Sequence, residues 1–162
     1  VHDRSIVFPR REITRPADAG GEDHHPVTPV EFHERRSANA YALAWEAHGL
    51  GYGVPASILD DLGAGRTIVV NVSRGIIETA RRLAPLRVLS LTVPADILRQ
   101  RLAARGRETV EDIEARVARA TAFAVTGPDV VTVVNDGSIE TALARVLDAI
   151  RSDAPAQVAS SN

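Results

Sequence analysis

Three runs of apolar, β-branched residues constrain this chain more than any other feature. They are Thr67-Ile68-Val69-Val70-Asn71-Val72, the segment from Arg87 to Val93, and Asp129-Val130-Val131-Thr132-Val133-Val134-Asn135. Near-continuous runs of this kind read as strands buried on both faces, not as half-exposed strands with alternating polarity. Helical patterns lie between them. One runs from Gly75 to Leu83, one opens at Pro94 and continues through Leu98 and Leu102 to Arg105, and one follows Thr109-Val110-Glu111-Asp112 to about Phe123. Strands alternating with helices predict an α/β fold with a parallel sheet flanked by helices.

The remaining segments fit around that frame. Ile6-Val7-Phe8 reads as a short strand, and the polar stretch from Arg10 to His25 as a loop. Thr28-Pro29-Val30-Glu31 is a helix start, with Thr28 as cap, Pro29 in the first turn and Glu31 closing a capping box; that helix should run to about Ser37. Tyr41 to Val54 reads as two strands around Gly49-Leu50-Gly51, and Pro55 as the opening of a helix that ends near Gly63 or Gly65. Thr109 with Asp112 resembles a second capping motif. Ser138 caps a last helix with Ile139, Leu143, Val146, Leu147 and Ile150 on one face. Residues 152–162 read as a frayed tail. With no internal repeat or linker, residues 1–151 are expected to form one domain.

Composition narrows the chemistry. All 19 basic residues of the 162 are Arg, and Cys and Met are absent. That excludes a disulfide framework, a Cys-zinc site, a thiol nucleophile and a Schiff-base lysine. It also excludes a G-x-x-x-x-G-K-[ST] phosphate loop within the chain, because the Lys is missing. A net charge of −2 gives no global basic field for nucleic acid. No apolar run approaches ~18 residues, and Val1-His2-Asp3-Arg4 is not a signal peptide, so a soluble cytoplasmic protein is expected. The absence of Met, with Val1 first, reads as a chain that is not a complete translation product.

Three groups of residues can carry chemistry. The first is Arg10-Arg11-Glu12-Ile13-Thr14-Arg15-Pro16 followed by Gly20-Gly21-Glu22-Asp23-His24-His25. An Arg in a Gly-containing loop after a strand binds phosphate bidentately, although a solvated surface loop has the same composition. The second is Trp45-Glu46-Ala47-His48-Gly49-Leu50-Gly51-Tyr52-Gly53, either a ligand-lining turn or a hairpin with aromatic packing. The third is Arg101, Arg105, Arg107 and Arg116 around Gly106. Arg101 and Arg105 stand one turn apart on a helix, where like charges repel and a bound anion relieves the cost. Such a cluster suits a mobile lid on a transferring phosphoryl group, or an exposed helical hairpin paired with Glu108, Glu111 and Glu114. His24-His25 lacks metal-ligand spacing to another strong donor, so no metal ligand is assigned. Ser73 lacks a G-x-S-x-G context.

In this order the groups resemble the guanylate-kinase-like family of P-loop phosphotransferases. Thr14-Arg15-Pro16 matches its substrate-phosphate loop. Glu46-Ala47-His48-Gly49 with Tyr52-Gly53 matches its hairpin. Arg105-Gly106 with Glu108, Ile113 and Arg116 matches its lid, and Val133-Val134-Asn135-Asp136 the strand end near the adenine. The match runs from about Ser5 to Ile150. Within the family the chain departs from guanylate kinase itself. Asp18 stands where a second Arg is usual, His24 where a phosphate-contacting Tyr is usual, and Val54 where a Ser or Thr reads guanine. Leaving a buried polar edge unpaired costs ~1–3 kcal/mol, enough to lose guanine selectivity.

The segments Ile13 to His24, His48 to Pro55, Val70 to Arg74 and Ala104 to Glu108 instead resemble ribose 1,5-bisphosphate phosphokinase of phosphonate breakdown. The resemblance implies transfer of the ATP γ-phosphoryl group to ribose 1,5-bisphosphate, giving 5-phosphoribosyl 1-diphosphate, with ATP and magnesium required. It implies that Arg15 holds a substrate phosphate and that Glu46 and Tyr52 line the acceptor pocket. Glu22, Asp23 and His24 would complete that pocket, with Asn71 and Ser73 at a strand end beside it. Arg105 and Arg116 would be catalytic lid residues, and Arg101, Arg105 and Asn135 would face the nucleotide. The acceptor part would span about residues 10–55 and the lid about 101–120. Family members carry a strand, a Gly-rich phosphate loop and a helix before the position of Val1. The expectation is therefore a kinase fold lacking that segment, with little turnover by this chain alone. Guanylate kinase and a non-catalytic guanylate-kinase-like binding module are the alternative readings.

Overall fold

Helix α1 (Pro29–Ser37) starts as the sequence predicts. The Thr28 side chain accepts the Glu31 N–H, and the Glu31 carboxylate accepts the Thr28 N–H at 2.7 Å. Two of the helix's otherwise unpaired donor groups are thereby satisfied. The computed structural model describes residues 5–19, 22–122 and 124–152. The tail expected after Ser152 and the helix end expected at Phe123 lie outside them. The chain divides after Pro85 into two compact units.

The first unit carries strands β1 (Ile6–Val7), β2 (Glu12–Ile13), β3 (His25–Pro26), β4 (Tyr41–Ala47), β5 (Leu50–Pro55) and β6 (Thr67–Ile68). Helices α2 (Ile58–Gly63) and α3 (Ile77–Leu83) follow α1. Strands β1 and β6 pair in parallel. A separate mixed sheet has the order β3-β2-β5-β4, with β2 antiparallel to β5 and β5 antiparallel to β4.

Four expectations are corrected here. The segment from Arg10 to His25 is not a solvated loop: it supplies β2 and β3, and Arg11, Glu12, Ile13 and His24 are buried. The hairpin turns at His48-Gly49, ahead of Leu50 and Gly51, which belong to β5. Both turn residues have positive φ, 53° and 75°, as the tightest hairpin turns require. Pro55 closes β5 opposite Tyr41 and does not open a helix, because its fixed φ suits a strand end as well as a first helical turn. The run from Thr67 to Val72 is not buried on both faces: only Thr67–Ile68 forms a strand, and Thr67 is exposed. Among the described residues it has one strand neighbour, β1, and that ladder ends where the Val69 N–H meets the Val7 carbonyl at 2.9 Å.

The second unit pairs β7 (Val88–Thr92) with β8 (Val130–Val134) in parallel and adds α4 (Ala95–Arg105), α5 (Val110–Ala122) and α6 (Ile139–Arg151). Pro94 precedes α4 and Gly106 ends it in the left-handed conformation. Thr109 and Asp112 form the second capping motif, the Asp112 N–H reaching the Thr109 hydroxyl and the Asp112 carboxylate accepting the Thr109 hydroxyl at 2.8 Å. Leu102, Ile113 and Val117 bury together between α4 and α5, with Ala95 and Leu98 against them. Strands β7 and β8 are only partly buried, with Leu91 exposed and Val133 buried, again because each has a single strand neighbour among the described residues. The apolar face of α6 is likewise divided: Ala142 and Ala149 are buried while Ile139 and Leu143 are exposed.

Candidate active site

The pleat of the mixed sheet decides which side chains meet. Trp45 pairs with Tyr52 and Glu46 with Gly51 across β4 and β5, so Glu46 and Tyr52 point to opposite faces. Helix α1 covers the Glu46 face. Phe32 packs where Gly51 has no side chain, since a Cβ there would lie 2.8 Å from its ring, and the Tyr41 ring covers Gly53 in the same way. Glu46 is exposed on this side and meets Arg36 at 3.3 Å. Glu12 also faces α1. Both its oxygens accept from Arg35 at 2.7 Å, and Oε2 accepts the Tyr41 hydroxyl at 2.6 Å. Burial, then the bond to Glu12, pushes the Tyr41 hydroxyl up to about 12.

The opposite face carries Trp45 and Tyr52, whose rings stack at 5.3 Å and 7°. The Arg11 guanidinium lies 5.2 Å from the Tyr52 ring centre and 5.7 Å from that of Trp45. It donates to both oxygens of Glu22, at 3.0 Å from Nε and 2.5 Å from Nη2, and from Nη1 to the Asn71 carbonyl at 2.9 Å. One buried side chain therefore ties together the 14–24 segment, the hairpin and the segment after β6.

Arg15 stands on the same segment, half-buried, and its Nε is buried with no hydrogen-bond partner among the described residues. Its carbonyl oxygen lies 3.0 Å from His24 Nε2, and the Glu22 carbonyl lies 3.0 Å from His24 Nδ1. His24 is buried, at 3% exposure, so its ring holds the backbone of the segment and is turned away from solvent. Asp23 is exposed and pairs with Arg10 at 2.5 Å. Val54 is fully buried and offers no polar group. The Asn71 side chain is exposed, and Ser73 opens a 3-10 turn without capping it through its side chain.

The second unit places its arginines separately. Arg101 donates to the Asn135 carbonyl and side-chain oxygens at 3.1 and 3.2 Å and to the Gly137 carbonyl at 2.8 Å, so Arg101 and Asn135 do meet. Arg145 anchors the same loop through the Val134 carbonyl and Asp136, and holds the Asp136 carboxyl below the usual carboxylate range. Arg116 pairs with Glu108, whose second carboxylate oxygen is buried without a partner among the described residues. Arg99 pairs with Glu114 at 2.6 Å, tying α4 to α5. Arg105 is exposed and has no side-chain partner among the described residues. The structure thus does not gather Arg101, Arg105 and Arg116 into one cradle. Arg101 and Arg116 have different partners.

Among the described residues no three His, Cys, Asp or Glu side chains stand together in a way that could hold a metal ion. Glu12, which is buried, and Glu22, which is only partly buried, are each paired with an arginine. Arg11 and Glu12 stand in the first group read from the sequence but without assigned roles; Glu12, with its partners Arg35 and Tyr41, lies on the α1 face, away from Tyr52. The signal was available: Arg11 and Ile13 lie two apart, as strand residues on one face do, and the strand is only two residues long.

The fold is guanylate-kinase-like. The guanylate kinase of Anaplasma phagocytophilum superposes on 91% of this chain and 74% of its own, with a TM-score of 0.63 and 23% identity. Among curated proteins, the ribose 1,5-bisphosphate phosphokinase of Desulfomicrobium baculatum is 44% identical over 135 residues, 83% of this chain and 72% of its own length. That of Acidiphilium cryptum is 56% identical over 121 residues, 75% of this chain. The chain belongs to the ribose 1,5-bisphosphate phosphokinase family. It spans 64% of the length of the Acidiphilium protein and 25% of that of longer, bifunctional relatives. No family model matches it.

Proposed function

We propose that this chain is the acceptor-binding and lid part of a cytoplasmic ATP-dependent kinase acting on ribose 1,5-bisphosphate. The bond between the ATP γ-phosphorus and its bridging oxygen breaks, and a new bond forms to an oxygen of the 1-phosphate. The products are ADP and 5-phosphoribosyl 1-diphosphate. The acceptor part is residues 10–55, with Arg15 on the substrate phosphate and Tyr52 beside it. The lid is residues 101–120, where Arg105 and Arg116 neutralise charge on the phosphoryl group, Arg116 exchanging Glu108 for it. Arg101 orients the Asn135 loop toward the nucleotide, which arrives as its magnesium complex.

The observation that carries this reading is Arg15. It stands in the Thr-Arg-Pro motif of a chain belonging to this family, with a buried Nε that has no partner among the described residues. A buried donor without an acceptor costs ~1–3 kcal/mol, and a phosphate oxygen removes that cost. Val54 disfavours guanylate kinase, because it cannot donate to a guanine edge.

The test is calorimetric titration of this chain with ribose 1,5-bisphosphate and with GMP. The expected result is binding of the bisphosphate, weakened about 10- to 100-fold in Arg15→Met, as loss of a charged hydrogen bond of ~1.5–3 kcal/mol requires. Binding of GMP without binding of the bisphosphate overturns the reading. Binding of neither favours the non-catalytic module.

A further inference from the structure

We infer that Arg11 is the positioning residue of the acceptor pocket and that Glu22 is its anchor, not a ligand of the substrate. The inference rests on the reading of Arg15 as the phosphate-binding residue. Both oxygens of Glu22 are engaged by Arg11 at 3.0 and 2.5 Å, a two-bond geometry that fixes distance and direction together. The same guanidinium reaches the Asn71 carbonyl and lies against the Trp45–Tyr52 stack. Arg11 is itself buried, so these contacts leave it little freedom.

The consequence concerns Arg15. His24 clasps Arg15 to Glu22, its ring nitrogens 3.0 Å from the carbonyls of both residues; each such bond takes one ring N–H. Glu22 is then held to the sheet by Arg11. Arg11 therefore acts on Arg15 through Glu22 and the His24 clasp, setting where the phosphate-binding guanidinium stands relative to the Tyr52 ring. The cation beside Tyr52 also takes up space against that ring, which favours a sugar phosphate over a planar base in the pocket.

Trp45 is the only tryptophan of the chain, so its fluorescence reports this contact directly. Arg11→Met and Glu22→Gln are expected to shift Trp45 emission in the unliganded protein. Arg11→Lys keeps the charge but not the fork, and is expected not to restore the wild-type spectrum. Arg36→Ala, which acts on the opposite face of the sheet, should leave it unchanged. In bisphosphate titrations, Arg11→Met and Glu22→Gln should each weaken binding about tenfold or more. The double variant should bind no more weakly than the weaker single one, because both act through one contact. Additive losses would mean that Glu22 touches the substrate itself and would overturn the inference. So would a wild-type Trp45 spectrum in folded Glu22→Gln. Should Arg11→Met fail to fold, Glu22→Gln decides both measurements. If the wild-type protein binds no bisphosphate, the functional reading fails, and the Trp45 spectra alone decide whether Arg11 positions the segment.

Discussion

Replacing Glu12 by Ala tests whether burial, and not charge pairing as such, gives an ion pair its worth in this sheet. The Glu12 side chain is 11% exposed, while that of its partner Arg35 is 47% exposed. Removing the carboxylate deprives the half-buried Tyr41 hydroxyl of its acceptor, a bond to a charged group worth ~1.5–3 kcal/mol. Arg35 regains water once freed, so its share is only about 0–1 kcal/mol. The expected cost is about 2–4 kcal/mol. With a urea slope of ~2 kcal/mol/M, the midpoint falls by about 1–2 M. Glu46→Ala removes a pair from the same face whose partners are 58% and 50% exposed, and should cost no more than ~1 kcal/mol. Urea unfolding followed by Trp45 fluorescence reads the unit that contains both residues. Equal costs for the two variants, or a cost below ~1 kcal/mol for Glu12→Ala, would refute the reasoning.

Two further outcomes follow from the same face. In Tyr52→Phe, Tyr41 is the one remaining tyrosine, and ultraviolet titration should place its ionisation near 12, not near the usual 10. Because its folded value is raised, the stability it contributes is full below pH 10 and is lost as pH rises through 12. A midpoint near 10 would show that the hydroxyl does not reach Glu12. Gly53→Ala should destabilise by about 1–3 kcal/mol through overlap with the Tyr41 ring, whereas Gly75→Ala, with open space at its Cβ, should not destabilise measurably. Thermal or urea unfolding of the pair checks the contrast.

Much of the local structure was legible. Thr28 with Glu31, Thr109 with Asp112, and Ser138 all cap helices as read, because a cap needs only residues a few positions apart. The α/β alternation and the family were legible for the same reason: motif spacing survives in one dimension. Burial was not. Leu91 and Ile139 carry apolar side chains in apolar patterns, yet both are exposed, since burial depends on which surfaces lie opposite. Arg10 to His25 reads as a polar loop because its charges are visible in sequence and their partners are not. Arg11 finds Glu22, and Glu12 finds Arg35, only across the folded sheet.

By itself, then, the sequence determined the capped helix starts at Thr28, Thr109 and Ser138, the α/β alternation, and the kinase family to which the chain belongs. Only the tertiary structure decided the division of labour within the site. It turned Glu46 away from Tyr52, because neighbouring residues of a strand face opposite sides. It engaged Glu22 and His24 in holding the segment of Arg15, and left the Arg15 Nε without a partner among the described residues. A residue's type sets what it can bind, whereas its neighbours in three dimensions decide whether that capacity is already satisfied.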